Sequence, residues 1–372
     1  MTTNQNNNNK KPLNEKRPQS KRPQNANNKK GPRFNFMWIY FFVILALGFV
    51  FRMYGSADPV KTEWLTVKEQ MIPGGDVEKI TYISNLQRAE VYIQKDSLSK
   101  YVSQELIQEV VKLREIKTDV EIEDMEKAAN TAYFMHTTAM KMCKPCVIEQ
   151  EIAGAVEGVA ISNGYGVSFP VILSMDGQTL HNHNHNGILQ EGRMMVCDAG
   201  AETKNYYASD FTRTIPVGGK FNSRQSDIYN IVLKANMEVI KNTRPGIRYF
   251  DMHTLAVRTI IEGLNAIGLM KGSVDDALAV GAHYLFMPHG LGHALGMDVH
   301  DMEGLGENNV GYDAETPRAT QEGFRGLRFG KYLKPGMVVT DEPGIYFIPT
   351  LIDIWKAEGK HKEFINYDKV ET

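Results

Sequence analysis

Asp198 and Asp210 sit on either side of a stretch that reads as a tight turn, and this pair limits the chain more than any other feature. A three-residue turn at Thr203-Lys204-Asn205 would set the two directly opposite one another on antiparallel strands, with their Cβ atoms about 5 Å apart. Carboxylates that close repel, and the arrangement is tolerable chiefly where cations lie between them. An isolated pair of this kind is more often a solvated surface hairpin. Here it has company: His289-Gly-Leu-Gly-His293, then His300 in Asp298-Val-His-Asp301, then Glu342-Pro343-Gly344 at the end of an apolar run. The glycines argue for strand or loop, where His289 and His293 still face the same way. The set reads as a site for two metal ions about 3.5–4 Å apart.

With 372 residues, 42% hydrophobic and 23% charged, the chain can bury one large core or two modest ones, as a globular enzyme does. Its net charge of −2 is unevenly laid out, because residues 1–33 hold nine Lys/Arg against the single acid Glu15. That Asn-rich, apolar-poor tail is expected to be disordered. Residues 34–54, centred on the uncharged run from Phe36 to Phe51, approach the roughly 20 residues that span a bilayer. The expectation is a single-pass membrane protein with a cytoplasmic N-terminus and an extracytoplasmic catalytic domain, or a cytoplasmic protein if the anchor is not used. A signal peptide is disfavoured by the absence of a convincing cleavage site. Nucleic acid is not expected as a partner, and a homo-oligomer is left open.

Cys143-Lys-Pro-Cys146 matches C-x-x-C but follows a helix that Pro145 is ending, and no second pair completes a zinc site. It reads as incidental, with a disulfide if the domain is exported. Residues 56–103 read as a small α+β segment with strand-like alternation at Lys79–Ile83 and Ala89–Ile93. Beyond it, Thr118-Asp-Val-Glu121 is a capping box that opens a helix running to Pro145. Further helices are expected at about 148–162, 223–241 and 252–269, and strands at 167–174, 194–200, 206–217 and 337–347. Helices flanking a mostly antiparallel sheet give an α+β fold.

Two resemblances follow from these words. The basic tail, hydrophobic run and small segment of residues 1–103 resemble the N-terminus of the membrane-bound AAA+ protease FtsH, without that family's G-x-x-x-x-G-K-[ST] or H-E-x-x-H motifs. Residues 104–372 resemble the catalytic domain of aminopeptidase P and Xaa-Pro dipeptidase, through Asp198-Ala-Gly, Ser209-Asp210-Phe-Thr-Arg213, Pro288-His289-Gly-Leu-Gly-His293 with Val299-His300-Asp301, and Glu342-Pro-Gly-Ile-Tyr346. The second resemblance implies the pita-bread (creatinase/aminopeptidase) fold, and an enzyme that releases an N-terminal residue before proline through a hydroxide held between two metals. By position it implies Asp198, Asp210, His293 and Glu342 as metal ligands, His181, His300 and Glu342 as catalytic residues, and His289 in the substrate pocket. Mixed carboxylate and imidazole donors fit Mn²⁺ first, with Co²⁺ or Zn²⁺ as alternatives. Glu342 would shuttle a proton to the leaving amine, and His181 or His300 would donate to the oxyanion. The other histidines of His181-Asn-His183-Asn-His185 read as loop variation.

The chain departs from this family in two ways. The Asp198–Asp210 interval is one residue longer than usual, and the fifth ligand, a glutamate in a C-terminal strand, is not reached by Thr372. The expectation is a C-terminally truncated domain with weakened activity or metal retention. The competing reading is a catalytically impaired or inactive membrane-anchored fusion that serves binding or assembly; a dipeptidase or methionine aminopeptidase is the alternative within enzymes.

Overall fold

The computed structural model describes residues 67–74, 77–83, 88–93 and 103–370. The chain divides into two units, Met1–Ala57 and Asp58–Thr372, and the described residues all belong to the second. The expected disordered tail and the apolar run at 34–54 lie outside them. The expected membrane topology is corrected: among the described residues no helix is long and apolar enough to cross a membrane.

The strand-like alternation at 79–93 forms a hairpin, β1 (Val77–Ile83) with β2 (Arg88–Ile93), paired antiparallel with an irregularity between Val77 and Lys79. Helix α1 (Gln104–Glu115) follows, capped by the Ser103 hydroxyl. The capping box then does what its sequence requires: Thr118 accepts from Glu121 N, Glu121 accepts from Thr118 N, and α2 runs Asp119–Met142. Its buried stripe is Met125, Ala128, Ala132, Met135 and Ala139, at the three- and four-residue spacing of one helical face. Helix α3 (Glu149–Asn163) packs Ile152, Val156 and Ala160 into the same core.

These helices cover one face of a small antiparallel sheet of order β4 (Ile172–Ser174), β5 (Met194–Ala199), β7 (Phe211–Pro216). A separate two-stranded pair is formed by β3 (Gly166–Val167) and β6 (Ala201–Glu202). The expected strand at 167–174 is thus split in two around Ser168, Phe169, Pro170 and Val171. Along β5, Met195, Cys197 and Ala199 are buried under the helices. Strand periodicity therefore turns Asp198 to the opposite face. That alternation alone decides on which side any chemistry must occur.

The second half is built on α4 (Ser223–Asn242), which the Asn222/Gln225 capping box starts, and α5 (Tyr249–Ala266). Ile231, Ala235 and Val239 meet Ala256, Ile260 and Leu264 in a core that also takes Phe286, Leu291 and Leu327. The strand expected at 337–347 does not form. Residues 338–342 run antiparallel to 291–295 with Thr340 N donating to His293 O, Glu342 N to Leu291 O and Leu295 N to Val338 O. The ladder fails at one rung, because His293 N donates to the Thr340 hydroxyl instead of its carbonyl, and the Tyr249 hydroxyl takes that carbonyl.

Candidate active site

Asp198 and Asp210 do reach the same face, but not in the register that the spacing suggests. Asp198 pairs with Thr212, and Ala199 with Phe211. The turn centres one residue later than expected, with Tyr206 N donating to Thr203 O and Tyr206 itself left-handed at φ 67°. A type I turn closed by a left-handed residue is the usual three-residue hairpin, so the tight residues are Lys204, Asn205 and Tyr206. Moving the turn by one shifts the pairing by two, which places the aspartates diagonally instead of opposite. Diagonal neighbours on one face remain within reach of each other. Asp210 lies across from Gly200, where a Cβ would run into the Ser209 carbonyl, so only glycine lets the strands close here.

The imidazoles come from the half-made ladder. Thr340 organises it: its hydroxyl accepts from His293 N at 3.0 Å and donates to Glu342 Oε1 at 2.9 Å. Gly292 lets the segments approach that closely, since a Cβ would collide with the Thr340 carbonyl. His293 Nε2 then lies 3.2 Å from Asp210 Oδ2 and 3.4 Å from Glu342 Oε1. The His293 and His300 rings lie 4.1 Å apart between centroids. His289 sits beside this group, with Nε2 3.1 Å from the Tyr346 hydroxyl and Nδ1 2.8 Å from Gly290 O.

One pocket of about 220 Å³ is lined by Asp198, Asp210, His293, Glu342, His300 and His181, with Phe169, Pro170, Ile172 and Val299 as its apolar wall. His183 lines it too, which the reading of that tract as loop variation missed. No sequence signal marked it, because His181 itself is left-handed at φ 54° and the tract does not follow strand alternation there. His185 does not join them, because its Nδ1 is engaged with Leu173 O at 2.9 Å. Of the site residues read from sequence, only His289 is not among the pocket's lining residues.

The electrostatics show an unmet need for positive charge. Asp198 is half-buried, its Oδ1 is shielded from solvent without a hydrogen-bond partner, and burial together with the nearby Asp210 and Glu342 charges raises its pKa well above the carboxylate range. His293 presents both ring nitrogens to acceptors, Nδ1 to Ala294 O at 3.0 Å and Nε2 to the acids. Its pKa is raised: burial pulls it down, and the Asp210 hydrogen bond with the Glu342 charge outweighs that pull. With Nδ1–H held on a carbonyl, Nε2 is the nitrogen free to act as a metal ligand, the tautomer that such histidines need. The donor set thus fits hard-to-borderline divalent cations. Among the described residues, no three donors already stand around one point at ligand geometry; they are hydrogen-bonded to each other instead.

The cysteines take no part. Cys143, Cys146 and Cys197 are all free, and burial pushes the Cys143 thiol to about 11 and Cys197 to about 12.

Comparison with known proteins places this geometry in context. Residues 123–363 match the profile of metallopeptidase family M24. The chain is 36% identical over 273 residues to the Xaa-Pro dipeptidase of Rattus norvegicus, covering 71% of this chain and 54% of that protein. It is 33% identical over 336 residues to a probable Xaa-Pro aminopeptidase of Podospora anserina, covering 83% and 71%. Among solved structures, a substituted Escherichia coli aminopeptidase P in complex with substrate superposes with TM-score 0.56 at 33% identity, over 64% of this chain and 50% of that one. The chain spans about half the length of the dipeptidases that it matches. The pita-bread fold is supported by these neighbours, whereas the FtsH-like reading of residues 1–103 is not.

Proposed function

The chain belongs to metallopeptidase family M24, and on that premise we propose that it is a metal-dependent aminopeptidase cleaving the bond between an N-terminal residue and proline. The observation that carries this reading is the convergence of Asp198, Asp210, His293 and Glu342 on one small pocket, with His181 and His300 bordering it. In this reading those four side chains hold two divalent cations, Mn²⁺ before Co²⁺ or Zn²⁺. When bound, the ions supply Lewis-acid polarisation of the scissile carbonyl and lower the pKa of attacking water.

The chain's own groups do the rest. The Thr340 hydroxyl holds Glu342 Oε1, which fixes the carboxylate that would carry a proton to the leaving amine. His300 and His181 border the pocket where a tetrahedral oxyanion would form, and an N–H from either would stabilise it. Phe169, Pro170 and Ile172 offer an apolar wall suited to a proline ring. His289, tied to Tyr346, orients the neighbouring substrate pocket.

The test uses the whole chain. Mn²⁺ is titrated calorimetrically, and hydrolysis is measured on Xaa-Pro peptides, Xaa-Pro dipeptides and Met-Ala peptides. Metal-dependent cleavage of Xaa-Pro peptides longer than two residues is expected. Cleavage of dipeptides alone would reassign it as a dipeptidase, and no metal uptake would overturn the proposal.

A further inference from the structure

His300 is held from behind by a carboxylate that is itself clamped. Its Nδ1 lies 3.1 Å from Glu303 Oε2, and Arg328 Nη1 lies 2.6 Å from the same oxygen. Arg328 Nη1 also reaches Glu307 Oε1 at 3.0 Å, and Glu307 Oε2 is paired with Arg318 Nη1 at 2.6 Å. The Glu303 side chain is only 14% exposed, against 39% for His300. Between the two residues the backbone turns sharply: Met302, buried, adopts φ 61° just before the short 3-10 turn Glu303–Leu305. A non-glycine residue in that region is strained, and such strain persists only where the surroundings over-determine it.

The carboxylate has one role open to it. Burial raises its pKa, but the hydrogen bond and charge of His300 and the charge of Arg328 outweigh burial and hold it below the ordinary range. An ionised carboxylate only accepts, so the short contact requires a proton on His300 Nδ1. That leaves Nε2 as the nitrogen available to the pocket, an acceptor on the neutral ring and a donor to an oxyanion only when the ring carries a second proton, with the His293 ring tilted at 56° beside it. Asp301, next to His300, cannot substitute for Glu303, because its two oxygens are taken by Arg114 at 2.6 Å and Lys117 at 2.9 Å.

We propose that Glu303 is a positioning residue for His300: by accepting from Nδ1 while Arg328 holds it in place, it fixes the ring with Nε2 directed to the substrate. The proposal rests on the peptidase reading above only for the consequence in turnover. Its test combines kinetics with spectra of the full-length protein. Glu303→Ala is expected to lower kcat about 10-fold while KM stays within about 2-fold, the effect of loosening one charge-assisted hydrogen bond. Glu303→Gln keeps an acceptor oxygen at the same reach and is expected to recover kcat to within about 3-fold of wild type. In parallel, ¹H–¹⁵N histidine spectra of metal-free protein, with His300 assigned through His300→Gln, are expected to show a ring protonated at Nδ1 in the wild type and in Glu303→Gln. In Glu303→Ala the two tautomers should average.

An unchanged kcat in Glu303→Ala, a Glu303→Gln variant as slow as Glu303→Ala, or a His300 signal indifferent to Glu303→Ala would each overturn the proposal. A wild-type protein without Xaa-Pro activity would instead refute the functional reading, and the spectra would still decide the role of Glu303.

Discussion

Two acidic clusters lie close together in this molecule and are built on opposite terms. Asp301 is 1% exposed and fully answered from within the chain, by Lys117 Nζ and by Arg114 Nη2 at the end of α1. Asp198 is half-buried, yet the acids near it are Asp210 and Glu342, and its shielded oxygen has no hydrogen-bond partner. Buried charge is tolerated only when it is paired. Where the chain supplies its own cations the cluster is a strut joining α1 to the loop of His300. Where it supplies acids and one imidazole, the missing charge has to come from outside.

The largest effect that would break this contrast is on turnover. Asp198→Asn or Asp210→Asn should lower kcat/KM by roughly 10³-fold or more, comparable to the loss of a main transition-state stabiliser, while leaving the thermal midpoint of metal-free protein unchanged or raised. A large fall in that midpoint would place Asp198 in the same structural class as Asp301. Conversely, Asp301→Ala strands buried Lys117, while Arg114 keeps only Asp298, and should cost about 3–5 kcal/mol in urea unfolding. Retained stability there would remove the strut from the comparison.

How far this contrast could be read in advance depended on distance along the chain. The capping box at Thr118 and Glu121 specified α2 because all its partners lie within one turn. His289, His293, Glu342 and the two aspartates were legible as a set through their local words. The hairpin register was not, because Asn205 looks like the turn residue whereas Tyr206, without any sequence mark, takes the left-handed conformation. The strand expected at 337–347 failed for a similar reason: a single hydroxyl, Thr340 Oγ1, replaced a backbone rung, which no hydrophobic pattern records. The pairing of Glu303 with Arg328 joins residues 25 apart in sequence and is visible only in the fold.

The pH dependence sharpens the comparison further. In metal-free protein Asp198 has a raised pKa, so its contribution to stability is complete below the unfolded carboxylate value of about 3.9 and is lost as pH rises toward the folded value. His253 and His283 act in the other direction. Burial depresses them to about 4 and about 3, both near Gly323 O, so their contribution is present above the unfolded value of about 6.5 and is lost as pH falls below it. Thermal melts are expected to show both losses without metal. Saturating Mn²⁺ should abolish the alkaline loss and leave the acid one; if it changes neither, Asp198 is not where the ions bind.

The smallest effect concerns the hydroxyl that links the two sides of the site. Thr340→Val removes the bridge between His293 N and Glu342 Oε1 and should reduce kcat about 10-fold, with unfolding changed by about 1 kcal/mol. A loss confined to stability would make Thr340 part of the scaffold alone.

The most direct test is to see the cations. Crystals grown with Mn²⁺ and measured near its absorption edge should give anomalous density bounded by the carboxylates of Asp198, Asp210 and Glu342 and by His293 Nε2, and no such density beside Asp301. Density absent from the first place, with the ion bound elsewhere or not at all, would contradict the assignment of this pocket as a metal centre.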